Sequence, residues 1–262
     1  MLALIIIETV ILTLSIILGV LTLGKCYHFK NCHIHVKVLL MCIIFDVIMS
    51  DIGEGIHFIL IEYYKMDHDL VVAELAHALL VSGNVNSCFI CVIVVLEQIC
   101  ATRYSTIYEK MNYFVVLIVI HTIFFILFIL LEFYLTNEFV IISIEFFSLI
   151  LTILLCILLY FYSLKKKNNI VSHNFQKRIG CLLSEKYVLN QIRRISKQMI
   201  IFTAAFVIHS LINVCIAAFT KFSREENEIN VYYVISKVNL MSRNMFTPLF
   251  LISVSLGQKY KL

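Results

Sequence analysis

The sequence predicts an all-α membrane protein built as a bundle of seven transmembrane helices. Of its 262 residues, 61% are hydrophobic and 15% are charged, whereas soluble domains carry about 25% charged residues. Lipid must therefore be its main solvent. One proline and seven glycines favour long helices. The apolar runs are continuous, unlike the alternating segments of about ten residues that a membrane β-barrel needs.

Seven apolar segments reach the roughly 20 residues that a helix needs to cross a hydrocarbon core. They are residues 2–23, 38–61, 71–99, 113–135, 139–163, 199–219 and 231–255. The first segment lacks the basic N-terminal stretch and the small-residue cleavage site of a signal peptide, so we expect it to remain in the protein as a spanning helix. We predict a tight turn between the fourth and fifth, because one helix of about 50 residues would overrun a bilayer.

Basic residues in the connecting segments predict the orientation, since cytoplasmic loops are enriched in Lys and Arg. With the N-terminus outside, sixteen basic residues fall in inner segments and three, Lys65, Lys221 and Arg224, in outer ones. The sequence thus predicts one domain over 1–262 with its C-terminus inside and a long third cytoplasmic loop at 164–198. We expect the second half of that loop to prolong helix six; an amphipathic surface segment is the alternative.

The nine cysteines all fall in predicted helices or cytoplasmic segments. Because a reducing cytosol disfavours disulfides, we predict no structural disulfide. Cys88 and Cys91 have CxxC spacing, which within a membrane helix we interpret as packing. The basic clusters lie between apolar runs, so they indicate membrane orientation and no nucleic-acid partner.

Ionisable residues within spanning segments are costly and are candidates for function. Helix two holds Asp46, Asp51 and Glu54, and helix seven holds Lys237 and Arg243. At about 1.5 Å per residue, Asp46 lies level with Arg243 and Asp51 with Lys237, so we predict two ion pairs. Asp46 and Asp51 point about 140° apart, so one pair, for which we choose Asp46–Arg243, faces the helix contact squarely. Alternatively, the charges only fix helix packing.

Four histidines, His57, His77, His121 and His209, lie in predicted helices. A zinc-dependent membrane hydrolase needs several histidines and an acid at one depth, whereas these lie at different depths. We therefore predict no metal, no cofactor and no catalytic activity, and keep the hydrolase as a second alternative. A retinal Schiff base at Lys237 would fit the fold, but nothing else in the sequence indicates a chromophore.

A ligand pocket would open outward among helices three, five, six and seven. Polar or aromatic side chains of the outer halves are its candidates, and we expect several of them to be packing residues. These candidates are His77, Asn84, Glu145, His209, Tyr233 and Lys237.

Three stretches give the chain a family resemblance. The first is Leu96-Glu97-Gln98-Ile99-Cys100-Ala101-Thr102-Arg103, at the end of predicted helix three. Its acid and its amide, Glu97 and Gln98, lie where the apolar run meets water. The chain here resembles the nematode serpentine chemoreceptors, in particular the Sre type of the Sra superfamily, whose signature is Glu-Arg-x-Cys-Ala-Thr, five residues, Tyr-Glu. The matching residues are Glu97, Cys100, Ala101, Thr102, Tyr108 and Glu109. The other matches are His33 and Lys37 before helix two and Leu183-Ser184-Glu185-Lys186-Tyr187 before helix six.

The resemblance implies a bundle of the G-protein-coupled receptor type in the plasma membrane, by analogy that of a sensory cilium. It implies a small-molecule ligand between the outer halves of the helices and a heterotrimeric G protein on the cytoplasmic side. The G-protein-facing residues would be Glu97, Gln98, Ala101, Thr102, Arg103, Tyr108 and Glu109.

The chain departs from the family at several positions. Gln98 stands where the family has Arg, His35 replaces its Asn, and Gln191-Ile192 replaces its Glu-Asn. An amide cannot make the charge-assisted contacts of an arginine, so we predict weak coupling. The alternative from another class is a ligand-gated channel or transporter subunit. Its aqueous path would be lined by Asp46, Asp51, Glu54, Lys237 and Arg243.

Overall fold

Every element in the described part of the chain is helical, as the computed structural model shows. The all-α prediction is confirmed to that extent. The structure describes residues 2–28, 34–64, 71–104, 112–134, 138–173, 190, 196–212, 215–216, 235, 238–239 and 242–250.

Five helices are described over their whole length, and two more in part. The five are α1 (Leu2–Tyr27), α2 (Ile34–Phe58), α3 (Val71–Arg103), α4 (Phe114–Tyr134) and α5 (Glu138–His173). A π-helical turn, Ile59–Tyr63, continues α2. The other two are α6, described over Ser196–Ile212, and α7, described over 242–250.

The last turns of α5 differ from the sequence-based expectation. We expected the third loop to begin at residue 164, but α5 continues to His173. The sequence explains the extension, because the segment from Leu164 to His173 has no glycine or proline and contains three consecutive lysines after Leu164, which are good helix formers. At about 1.5 Å per residue, a helix of 36 residues is longer than a hydrocarbon core of about 30 Å.

Four of these helices, α1, α3, α4 and α5, are long and apolar enough to cross a membrane. Their outward faces support a lipid environment: α4 exposes large apolar side chains such as Val115, Ile123 and Leu130, a surface that would be unfavourable in water. By contrast, α2 carries Lys37, Asp46, Asp51 and Glu54, and its acids are buried inside the bundle. The described apolar part of α6 is shorter, at Ser196–Ile212.

The centre of the described bundle is α3. In its apolar stretch 67% of the residues are buried, against 28% in the apolar stretches of α1 and α5 and 17% in that of α4. Its closest neighbour is α2, and two glycines allow the helices to approach. A Cβ at Gly83 would lie 2.5 Å from the Asp46 carbonyl oxygen. A Cβ at Gly53 would lie 2.6 Å from the Ala76 carbonyl oxygen. Small residues at helix contacts let backbones come close in this way.

Candidate functional site: polar clusters inside the bundle

The first polar group, the Glu97 cluster, joins α2, α3 and the residue before α4. The Glu97 side chain is buried, and its two carboxylate oxygens have different partners. Oε1 lies 2.8 Å from His35 Nδ1, and Oε2 accepts a 2.6 Å hydrogen bond from the Tyr113 hydroxyl. The Tyr113 backbone N–H donates to His35 Nε2 at 3.2 Å, so the imidazole accepts at Nε2, carries its hydrogen on Nδ1 and is neutral.

The Tyr113 phenol is suited to its role as a donor. Burial, together with the hydrogen bond to the Glu97 carboxylate, raises its pKa above the ordinary value. The hydroxyl therefore keeps its proton at neutral pH. The rings of His35 and Tyr113 also lie against each other, with centroids 3.9 Å apart, so packing and hydrogen bonding hold this cluster together.

The second group, the Asp46 cluster, joins α2, α3 and α4. Asp46 is fully buried. Its Oδ1 lies 2.8 Å from His121 Nε2, and the Asn86 amide donates to both carboxylate oxygens, at 3.1 and 3.0 Å. Phe45 and Phe125 lie beside the His121 ring, with centroids about 6 Å away. Asp46 is thus a buried carboxylate that side chains of α3 and α4 both bind.

The third group, the Asp51 cluster, joins α1, α2 and α7. The Ser15 hydroxyl donates to Asp51 Oδ2 at 2.7 Å, and the Asn244 amide donates to Oδ1 at 2.6 Å. Both partners are neutral, so hydrogen bonds hold this buried carboxylate. Glu54, three residues further along α2, is buried as well.

The fourth group, the Glu145 cluster, joins α3, α5, α6 and α7 around a buried arginine. Arg243 Nη1 donates to Glu145 Oε1 at 2.8 Å, and the Ser210 hydroxyl donates to the same oxygen at 2.7 Å. Arg243 Nη2 lies 3.4 Å from Cys88 Sγ. The guanidinium carbon is 4.6 Å from the Phe206 ring centroid, which adds a cation–π contact.

The predicted ion pair between Asp46 and Arg243 is wrong. Asp46 binds Asn86 and His121 instead, and Arg243 binds Glu145. Counting residues along a helix gives the depth of a side chain but not the neighbour that it faces, and these two side chains face different helices. For the other predicted pair, Lys237 lies outside the described residues; the Asp51 carboxylate is bound by Ser15 and Asn244.

The structure brings together two of the six predicted ligand residues. Asn84 and Glu145 meet at Arg243, although the Asn84 contact is its backbone carbonyl oxygen, 3.5 Å from Nη2. His209 Nδ1 instead lies 2.7 Å from Asn239 Oδ1. His77 is 3.3 Å from Glu132 and 41% exposed. Tyr233 and Lys237 lie outside the described residues.

One cavity lies near these residues, between α3, α4 and α5. Its lining includes Ser82, Phe128 and Glu132, and its volume is about 10 Å³. That is room for about one water molecule. This cavity therefore cannot accept a small organic ligand unless the helices move.

The helix-three motif is divided between the interior and the surface. Glu97, Gln98 and Ala101 are buried, so in this conformation they do not present a surface to a partner. Arg103 is exposed, with its guanidinium 5.7 Å from the Tyr104 ring centroid. Thr102 has helical backbone, while Tyr108 and Glu109 lie outside the described residues.

Sequence reasoning missed most partners of the buried acids. His121 was considered only as a metal ligand and His35 only as a departure from a family pattern, while Asn86, Asn244 and Ser15 look like ordinary helix residues. One signal was present: an acid in an apolar run needs donors at the same depth, and asparagine and histidine supply them.

The remaining chemical features of the described part are simple. Its seven cysteines are free thiols, with Cys88, Cys91 and Cys156 among the buried ones, and within it no group of three or more metal-ligating side chains occurs. The chain matches no protein-family model and no curated protein. Any assignment of function therefore depends on the sequence motifs, the placement of basic residues and the geometry of the polar clusters.

Proposed function

We propose that this protein is a seven-helix chemoreceptor that binds a small molecule between the outer halves of its helices and couples to a heterotrimeric G protein. The observation that carries the proposal is the place of α3. It is the most buried of the apolar helices, one end of it is tied to α2 and α4 through Glu97, and its middle meets Arg243.

The proposal includes seven membrane crossings with the N-terminus outside and the Arg103 end of α3 in the cytoplasm. The excess of basic residues in the inner segments, sixteen to three, supports this orientation. The acids of α2 do not argue against its crossing, because Asp46, Asp51 and Glu54 are buried and neighbouring helices bind the first two. Acids inside a membrane bundle face its interior in this way.

A ligand would act through the Glu145 cluster. This cluster joins α5, α6 and α7 through one oxygen of Glu145, and Arg243 connects them to α3 at Cys88. A small molecule with a hydrogen-bonding group could compete for Arg243 or Ser210 and change how those three helices pack. The ligand shifts the equilibrium between two packings only by its differential affinity for them.

The main alternative, a channel or transporter, is less well supported. It needs the intramembrane charges to line an aqueous path. Asp46, Asp51, Glu54 and Arg243 are each at most 2% exposed, and the contacts of Asp46, Asp51 and Arg243 are neighbouring side chains. We therefore place the receptor first.

The test is G-protein activation by the full chain in a cell, against a panel of volatile and water-soluble compounds. Wild type is compared with Gln98→Arg and with Gln98→Met, a control of similar size without charge, at matched surface expression. We expect a ligand-dependent signal that disappears without G protein and that is stronger for Gln98→Arg alone. A current that persists without G protein would establish the channel instead. Equal signals from all three forms would mean that residue 98 does not affect G-protein coupling.

A further inference from the structure

A groove runs between α3 and α5 at the Arg103 end of α3. It has a volume of about 490 Å³ and is lined by Ile99, Arg103, Leu158, Leu159 and Tyr162. Leu158 is 65% exposed and Tyr162 is 52% exposed, so the groove opens on the side of the bundle. Its walls are mostly aliphatic, and Arg103 and Tyr162 supply the polar groups of the lining.

The rim of this groove is basic. Arg103 is exposed, and within the part of the chain that the structure describes no carboxylate forms an ion pair with it. Lys165, exposed as well, follows Tyr162 by about one helical turn of α5. The groove thus combines an apolar wall with a positive end.

We propose that this groove binds an anionic phospholipid, with the lipid phosphate at Arg103, Tyr162 and Lys165 and an acyl chain along Ile99, Leu158 and Leu159. Three observations favour that occupant. Arginine binds phosphate through two parallel hydrogen bonds, the aliphatic wall faces sideways, where the hydrocarbon would lie, and the proposed orientation places this end at the cytoplasmic leaflet, where anionic lipids concentrate.

The inference rests on the orientation proposed above and not on receptor activity. A protein partner in the cytoplasm would approach the ends of the helices, whereas the apolar wall of this groove runs along their sides. Lipid fits both the position of the wall and the charge at its end.

The experiment measures lipid binding to the purified full chain by native mass spectrometry, with phosphatidylserine or phosphatidylcholine added. Three variants are compared with wild type. Arg103→Gln removes the charge, Leu158→Trp fills the groove from an exposed position, and Lys25→Gln removes an exposed basic residue at the same predicted membrane face but outside the groove.

We expect wild type to prefer phosphatidylserine. Arg103→Gln should weaken phosphatidylserine binding about fivefold, the effect of one basic residue at an anionic surface, and leave phosphatidylcholine unchanged. Leu158→Trp should weaken the binding of both lipids, and Lys25→Gln should change neither.

Three results would overturn the inference. An equal loss with Lys25→Gln would indicate diffuse attraction to basic residues. Unchanged binding with Leu158→Trp would mean that the groove does not hold the acyl chain, and no preference for phosphatidylserine would mean that something else occupies it. No G protein is present in this measurement, so its failure leaves the receptor proposal standing, and a silent receptor assay leaves the lipid site standing.

Discussion

The Glu97 and Glu145 clusters solve the same problem in different ways. Each holds a glutamate carboxylate within the bundle, and each joins α3 to its neighbours. Glu97 is bound by neutral donors, the His35 imidazole and the Tyr113 hydroxyl, from α2 and the start of α4. Glu145 is bound by the Arg243 guanidinium, with help from Ser210, so charge holds α5, α6 and α7.

The difference teaches which half of the bundle is more sensitive to the loss of one side chain. Removing a neutral donor costs a hydrogen bond, whereas removing one member of a buried ion pair leaves the other as an uncompensated charge. The α2–α3–α4 half should therefore tolerate single losses, and the α5–α6–α7 half should not. The α5–α6–α7 half is also the one that a ligand can rearrange by competing for a single contact.

The largest effect should come from Arg243→Leu. Loss of the guanidinium leaves Glu145 without its cation, which costs about 3–5 kcal/mol. Thermal unfolding of the purified protein in detergent measures the change. The double variant Arg243→Leu with Glu145→Leu should regain most of the stability, because no unpaired charge remains. A double variant as unstable as the single one would show that the pair is not the source of the effect.

The close contact of α2 and α3 supports the Glu97 and Asp46 clusters, which join these two helices, and Gly83→Val should disrupt it. The added side chain meets the Asp46 carbonyl oxygen and Ser50, and backbone atoms cannot move aside as a rotamer can. We expect a loss of about 3 kcal/mol, the upper end of the overpacking range. Gly24→Val is the matched control, since a Cβ there meets nothing within 4 Å. Equal unfolding temperatures for the two variants would contradict this contact.

Tyr113→Phe tests the Glu97 cluster. The variant keeps the ring against His35 but removes the hydroxyl that donates to Glu97 Oε2. A hydrogen bond to a charged group contributes about 1.5–3 kcal/mol, so we expect a loss of about 2 kcal/mol, smaller than for Arg243→Leu. Tyr104→Phe, at an exposed tyrosine, should leave the unfolding temperature unchanged. If Tyr113→Phe is as harmful as Arg243→Leu, the two clusters do not differ as described.

Ser210→Ala should have the smallest effect. Ser210 shares Glu145 Oε1 with Arg243, so the carboxylate keeps its cation when the hydroxyl is removed. We expect a loss of about 1 kcal/mol, below the range of about 1.5–3 kcal/mol for a hydrogen bond to a charged group, because Arg243 still compensates the charge of Glu145. Ser242→Ala is the control, because the Ser242 hydroxyl bonds to the Asn239 carbonyl three residues earlier in the chain and not to a charged group of the described residues. A loss of the size expected for Arg243→Leu would show that the arginine contributes little.

The sequence predicts where most of the helices lie but not which side chains their buried polar groups contact. Apolar length predicts α1 to α4 and the start of α5 within a few residues, because crossing a bilayer imposes a length. It does not predict the last ten residues of α5. The acids of α2 could be predicted as buried and bound. Their partners depend on helix rotation and on which helices are neighbours, so Asp46 was paired with Arg243 when Asn86 and His121 lie closer. Likewise, the sequence does not predict that an arginine of α7 binds Glu145.

The receptor proposal requires one orientation of the bundle, and glycosylation mapping tests it most directly. The chain has no Asn-x-Ser/Thr sequence of its own, so a new one reports its side of the membrane. Ile229→Thr completes such a sequence at Asn227 in a predicted outer loop, and Gln176→Thr completes one at Asn174 in the predicted third inner loop. We predict that only the Ile229→Thr protein gains a glycan. A glycan on Gln176→Thr alone would put the Arg103 end of α3 outside the cell, where no G protein could reach it, and would contradict the proposal.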